Sequence, residues 1–154
     1  MQTFFLYAKK LEIPFTIHSG EASGAESVMQ AINMGASRIG HGVRSIEDKN
    51  VVGILARNKI PLEICPTSNL NTQVFKSYKE IPIPQFLSEG VIITINSDNM
   101  SVSDTNSLKE LEIITKTFNF DKDIENQLIL NSVDSSFASK TVKENLRTKV
   151  LAEI

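Results

Sequence analysis

Only two histidines, one cysteine and no tryptophan occur in these 154 residues. A single cysteine excludes an internal disulfide, and no Cys-x-x-Cys is present to build a thiolate metal site. Long apolar runs are missing as well. Nothing approaches the roughly 20 residues of a membrane span, and the longest uncharged stretch, Ile64 to Phe75, is short and polar. In the opening segment, Met1 to Lys10, the lysines follow the apolar residues, whereas a secretory signal carries them in front. A cytoplasmic location is therefore expected. Neither sign of charge dominates: 16 basic residues face 18 acidic ones, for a net charge of −2. That balance leaves no electrostatic footprint for nucleic acid or an anionic membrane. A Walker A loop, a Gly-x-Gly-x-x-Gly and a Gly-x-Ser-x-Gly elbow are also absent.

What is present is the composition of an ordinary globular domain, 41% hydrophobic and 22% charged, at a length that suits one domain. Its clearest pattern is an apolar run, polar punctuation, then an amphipathic stretch, repeated four times. The runs are Ile13–Ile17, Ser37–Gly40, Ile60–Ile64 and Val91–Ile95. Short apolar runs bounded by turn residues predict parallel strands buried on both faces. Between and after them the spacing predicts helices over Ser23–Met34, Ile46–Asn58, Pro84–Glu89, Asp104–Phe118, Asp121–Asn131 and Ser135–Ala152. Four strand–helix units in a row predict an α/β fold with a parallel sheet and right-handed crossovers.

The polar residues sit where such a sheet carries ligands. His18, His41, Ser68 and Asp98 are each expected just past the C-terminal end of a strand, the edge along which parallel α/β sheets and barrels bind. Each has two readings. The histidines are either loop and core residues or ligands. Glu21 is either a first-turn acid of the next helix or a carboxyl kept protonated so that it can deliver a proton. Asp98 is either a turn residue or an oxygen ligand that complements imidazole nitrogens in the mixed set zinc favours. Cys65, before Pro66 in an apolar strand end, reads as packed and inert.

Four segments, His18-Ser-Gly-Glu21, Arg38-Ile-Gly-His41-Gly42, Cys65-Pro-Thr-Ser-Asn69 and Asn96-Ser-Asp98-Asn99, resemble in order and spacing the motifs of the adenosine deaminase family. The resemblance runs from about His18 to Asp104. It implies a (β/α)8 barrel with one zinc at its C-terminal mouth, in a cytoplasmic hydrolase of purine metabolism that turns adenosine into inosine. It also implies roles. His18 and Asp98 are implied as zinc ligands, and Glu21 as the acid that protonates N1 of the purine. His41 is implied to orient the attacking water and help deprotonate it. Asn99 occupies the position that contacts N7 of the base, an Asp in many members. Gly20, with Gly42, is expected to let the backbone approach the purine nucleoside. Met100 stands where Pro or Arg is expected.

One family motif is missing. The His-x-His of the first barrel strand, which gives zinc two ligands, does not occur. A full barrel takes about 250 residues, and four strands supply half of one. Residues 1–154 are therefore expected to form a single partial domain, strands five to eight of a barrel with C-terminal helices. Two unpaired strand edges and one uncovered apolar sheet face should result. Two alternatives remain. One is deamination of another purine, adenine or a nucleotide. The other is a non-catalytic half barrel that self-associates as a homodimer or joins a missing N-terminal half.

Overall fold

Side-chain caps decide where the helices begin. The protein is described here by a computed structural model covering residues 2–153, without the side chains of Gln2, Thr3 and Leu6. Met1 and Ile154 of the expected 1–154 domain lie outside the described residues. The chain runs α1 (Gln2–Lys10), β1 (Thr16–Ser19), α2 (Ala25–Asn33), β2 (Arg38–His41), α3 (Lys49–Asn58), β3 (Leu62–Ile64), α4 (Pro66–Asn71), α5 (Ile83–Ser88), β4 (Ile93–Ile95), α6 (Met100–Ser103), α7 (Ser107–Phe118), α8 (Lys122–Ser135) and α9 (Lys140–Ala152). Asp48, Asn106, Asp121 and Ser139 each accept a first-turn amide, from Asn50, Lys109, Ile124 and Val142.

These caps move three helix starts from their expected places. Ile46 belongs to a 3-10 turn, Val43–Glu47, and α3 starts only after its Asp48 cap. Asp104 ends α6 in the left-handed region (φ 46°), so α7 waits for Asn106. The last helix starts at Lys140 rather than Ser135. Helices α1, α4 and α6 were not expected from the sequence.

The four strands form one parallel sheet in the order β1-β2-β3-β4, each the hydrogen-bonded neighbour of the next. A doubly wound sheet reverses its strand order at a switch point. Unbroken chain order is instead what a barrel wall has, with right-handed crossovers placing the helices on one face. Ile17, Ile39, Leu62, Ile64, Ile93 and Ile95 point to that face. There they meet Val28 and Ala31 of α2, Val52 and Leu55 of α3, Phe86 of α5, Ile114 of α7 and Leu128 of α8. Ile39, Leu55, Leu62, Phe86 and Ile114 are fully buried.

The other face corrects two expectations. The strands are not covered by apolar groups on both sides, and the face away from the helices is not apolar. It carries Thr16 and His18 from β1, Arg38 and Gly40 from β2, Glu63 from β3 and Thr94 from β4, aligned by the strand register. Glu63 ties them together. It accepts from Thr16 Oγ1 at 2.7 Å and pairs with Arg38 Nε at 3.0 Å. Arg38 also donates to the Ser135 carbonyl at 3.1 Å and lies 3.8 Å over the Phe137 ring. The floor of this face is thus fastened to the α8–α9 junction through Arg38.

The β4 edge is partly capped. Leu62 donates to the Ile92 carbonyl and Asn96 to the Ile64 carbonyl. Alternate residues of a parallel strand serve each neighbour, so Ile93 and Ile95 turn their backbone outward. The Asn131 amide of α8 donates to the Ile93 carbonyl at 3.0 Å.

Candidate active site

Every site residue arises from the C-terminal end of a strand, though not always beyond it. His18 is the third residue of β1 and His41 the last of β2, so both lie inside strands rather than just past them. Asp98 follows β4 by three residues and Glu21 follows β1 by two. His18 is exposed on the polar face opposite Gly40, where a Cβ would lie 3.1 Å from His18 Nδ1. Gly40 therefore makes room for the ring.

His41 is 1% exposed, its ring 5.2 Å from that of His18 between centroids. Burial pushes its imidazole below the ordinary histidine value, outweighing the opposing pull of Glu21. Two site residues other than glycine have left-handed backbone, His41 at φ 61° and Asp98 at φ 54°. Such conformations cost on the order of 1–3 kcal/mol each and persist where surrounding contacts over-determine them.

Those contacts come from one short helix. Ser68 Oγ of α4 donates to Asp98 Oδ2 at 2.7 Å. Asn69 Nδ2 lies 3.1 Å from His41 Nδ1. The hydroxyl of Thr72, the residue that ends α4, stands between the Ser68 carbonyl at 2.9 Å and Glu21 Oε1 at 3.1 Å. The second Glu21 oxygen stands 3.5 Å from His41 Nε2. Residues 68, 69 and 72 thus hold the aspartate, the histidine and the glutamate. Sequence reasoning found Ser68 but missed Asn69 and Thr72 as partners; their spacing on one helical turn after Pro66 was the available signal.

Three donor atoms, one each from His18, His41 and Asp98, lie within 4.8 Å of one another. Zinc bound at about 2.0–2.2 Å in tetrahedral geometry sets neighbouring ligands roughly 3.4 Å apart. The His18 imidazole and the Asp98 carboxylate are donors of the kind that ion takes, while the three atoms together, up to 4.8 Å apart, stand wider than its ligands do. Beside them opens a cleft of about 220 Å³ lined by residues 18–23 and Ser27.

The remaining expected residues sit around this cluster. Gly20 lines the cleft, but its amide donates to Ser27 Oγ at 3.0 Å. Its φ of 68°, and the 2.5 Å gap a Cβ would leave to Val28 Cγ2, account locally for the glycine. Asn99 caps α6, its Oδ1 accepting from the Val102 amide at 3.0 Å, which leaves the Nδ2 donor free of that bond. Met100 opens α6 and is exposed. Cys65 is buried, which pushes its thiol up to about 12. Among the described residues no helix is long and apolar enough to cross a membrane.

A parallel sheet in unbroken strand order, with imidazole and carboxylate donors gathered at its C-terminal edge, defines an α/β protein whose candidate site lies where such folds carry their ligands. The chain belongs to the adenosine deaminase family, whose model matches residues 1–153. The adenosine deaminase of Haemophilus ducreyi is 42% identical over 145 residues, 94% of this chain and 42% of that protein. That of Clostridium kluyveri is 42% identical over 151 residues, 97% of this chain and 43% of that protein. Among solved structures, an adenine deaminase from Arthrobacter aurescens superposes with a TM-score of 0.94 at 28% identity, covering 99% of this chain and 47% of that one. The chain thus spans less than half the length of the curated relatives it matches.

Proposed function

We propose that the chain forms strands five to eight of a deaminase barrel and carries the proton-handling half of its mouth. The proposed reaction is the zinc-dependent hydrolysis of adenosine to inosine and ammonia, in cytoplasmic purine metabolism. One observation carries this reading: α4 braces Asp98, His41 and Glu21 together, beside the two donors, His18 and Asp98, that suit zinc.

His18 and Asp98 would hold the ion, which supplies Lewis acidity and brings the ionisation of water toward neutral pH. The Asn69 side-chain amide meets His41 Nδ1 at 3.1 Å and fixes the ring, so that Nε2 faces Glu21. His41 then orients the attacking water and helps remove its proton. Glu21, steadied by Thr72, delivers a proton to N1 of the purine as water adds at C6. This avoids negative charge on the ring; the proton taken up by His41 passes to the amino group, the C6–N bond breaks and ammonia leaves. Asn99 Nδ2 remains available to donate to N7. Gly20 shapes the cleft floor beneath the nucleoside.

A catalytic zinc site takes at least three protein ligands. The two imidazoles of a His-x-His must reach this site from another segment or another polypeptide. Alone, the chain should bind zinc weakly and convert adenosine little. Completed with the N-terminal half of the Clostridium kluyveri enzyme and zinc, it should convert adenosine steadily, followed by ultraviolet absorbance. Steady conversion by the chain alone would sink the half-site reading. A completed, zinc-loaded barrel inert toward adenosine would sink the substrate.

Likeness to an adenine deaminase supports a second substrate reading, and the same completed protein tested on adenine and on a nucleotide separates the two. A self-associating half barrel is the remaining reading. It is supported by exposed Phe4, Tyr7, Leu11 and Ile13 on α1 and the turn before β1. A monomer by light scattering would refute it.

A further inference from the structure

We propose that Glu110 is a positioning residue of this site, acting through α4. The proposal rests on the reading above in that the residues positioned are those given roles there. Glu110 lies in α7 and is fully buried. Its Oε2 accepts from the Thr67 amide at 3.0 Å, while Oε1 is buried without a hydrogen-bond partner. Burying a carboxyl with one unsatisfied oxygen is costly, and an apolar side chain would pack α7 against its neighbours without that cost. The position therefore does something that packing alone does not require.

What it does is visible at the start of α4. Helices leave their first amides unpaired, and an N-cap side chain ordinarily accepts from one of them. The N-cap of α4 is Cys65, whose side chain makes no such bond. Glu110 supplies the missing acceptor from 43 residues further along the chain. Thr67 adds a second tether, its Oγ1 standing 3.1 Å from the Tyr78 hydroxyl. A six-residue helix cannot hold its own shape in water, because nucleation is unfavourable and so few bonds repay it. Fixing Thr67 therefore fixes the turn that follows, and on that turn lie Ser68, Asn69 and Thr72. Glu110 touches neither substrate nor metal donors. Its reach to Asp98, His41 and Glu21 runs entirely through those three side chains.

The state of the His41 ring reports this reach, because the Asn69 amide decides which ring nitrogen carries the proton. The chain has two histidines, so the imidazole nitrogen spectrum of the full, metal-free protein at pH 8 contains two rings, and His18→Gln assigns them. In the parent protein His41 should show a single tautomer. Glu110→Gln keeps a carbonyl acceptor for Thr67 and should keep that single tautomer. Glu110→Met fills the same space without an acceptor, and a second His41 tautomer should appear while circular dichroism stays native. A folded Glu110→Met protein whose His41 keeps one tautomer overturns the proposal. Should that variant fail to fold, Thr67→Pro removes the donor instead of the acceptor and leaves α7 intact; there too, an unchanged single tautomer refutes it. No substrate or metal enters this measurement, so its failure and failure of the deaminase reading are separate results.

Discussion

Replacing Ser68 with alanine removes one oxygen atom and one hydrogen bond, the 2.7 Å contact from Ser68 Oγ to Asp98 Oδ2. A hydrogen bond to a charged group contributes about 1.5–3 kcal/mol. Asp98 is exposed, so water recovers part of that, and about 1.5 kcal/mol is a fair expectation at the lower end. That corresponds to roughly tenfold weaker zinc binding, within the range seen when a group supporting a metal ligand is deleted. Because Asp98 already sits at a φ of 54°, the freed carboxylate also loses the contact that helps hold it there. The assay is zinc competition against a chromophoric chelator, on the completed barrel, for the parent and Ser68→Ala proteins. Ser101→Ala, on the exposed face of α6, is the control. Equal affinities for parent and Ser68→Ala would refute the reasoning. So would an equal loss in the Ser101→Ala control, since the effect would not then be specific to Asp98.

Two further outcomes follow from the packing. The Cys65 thiol, pushed up to about 12 by burial, has almost no thiolate at pH 8; alkylation by iodoacetamide should need urea, and rapid labelling of the native protein would contradict this. Gly42→Ala should cost about 2–4 kcal/mol by urea unfolding, combining a left-handed backbone with overpacking, because its Cβ would stand 2.5 Å from Leu62 Cδ2 at φ 68°; a loss under about 1 kcal/mol would mean that Leu62 gives way.

The strands were legible because each is a short apolar run closed by turn residues. Their two-faced character is legible too. Three of the four runs place a polar residue next to last, Thr16, Glu63 and Thr94, and the remaining run contains Arg38. Those four line the face expected to be apolar. His18, Glu21, His41 and Asp98 could be found because local sequence puts them at strand ends. The work of α4 could not, since Ser68 meets Asp98 across 30 residues and Glu110 meets Thr67 across 43. Such pairings depend on how strands align in space, and no periodicity encodes them. Helix starts failed for a smaller reason: several Asp, Asn and Ser residues near each boundary can cap, and tertiary packing chooses among them.

The polar face formed by Thr16, Arg38 and Glu63 has a bearing on how this sheet meets water. A sheet whose open side were oily would adhere to any apolar surface nearby. Here Thr16 and Arg38 are both engaged with Glu63, and the Asn131 amide occupies part of the outer strand edge. Water and a further strand must therefore compete with contacts already made, which is a guard against indiscriminate edge-to-edge pairing.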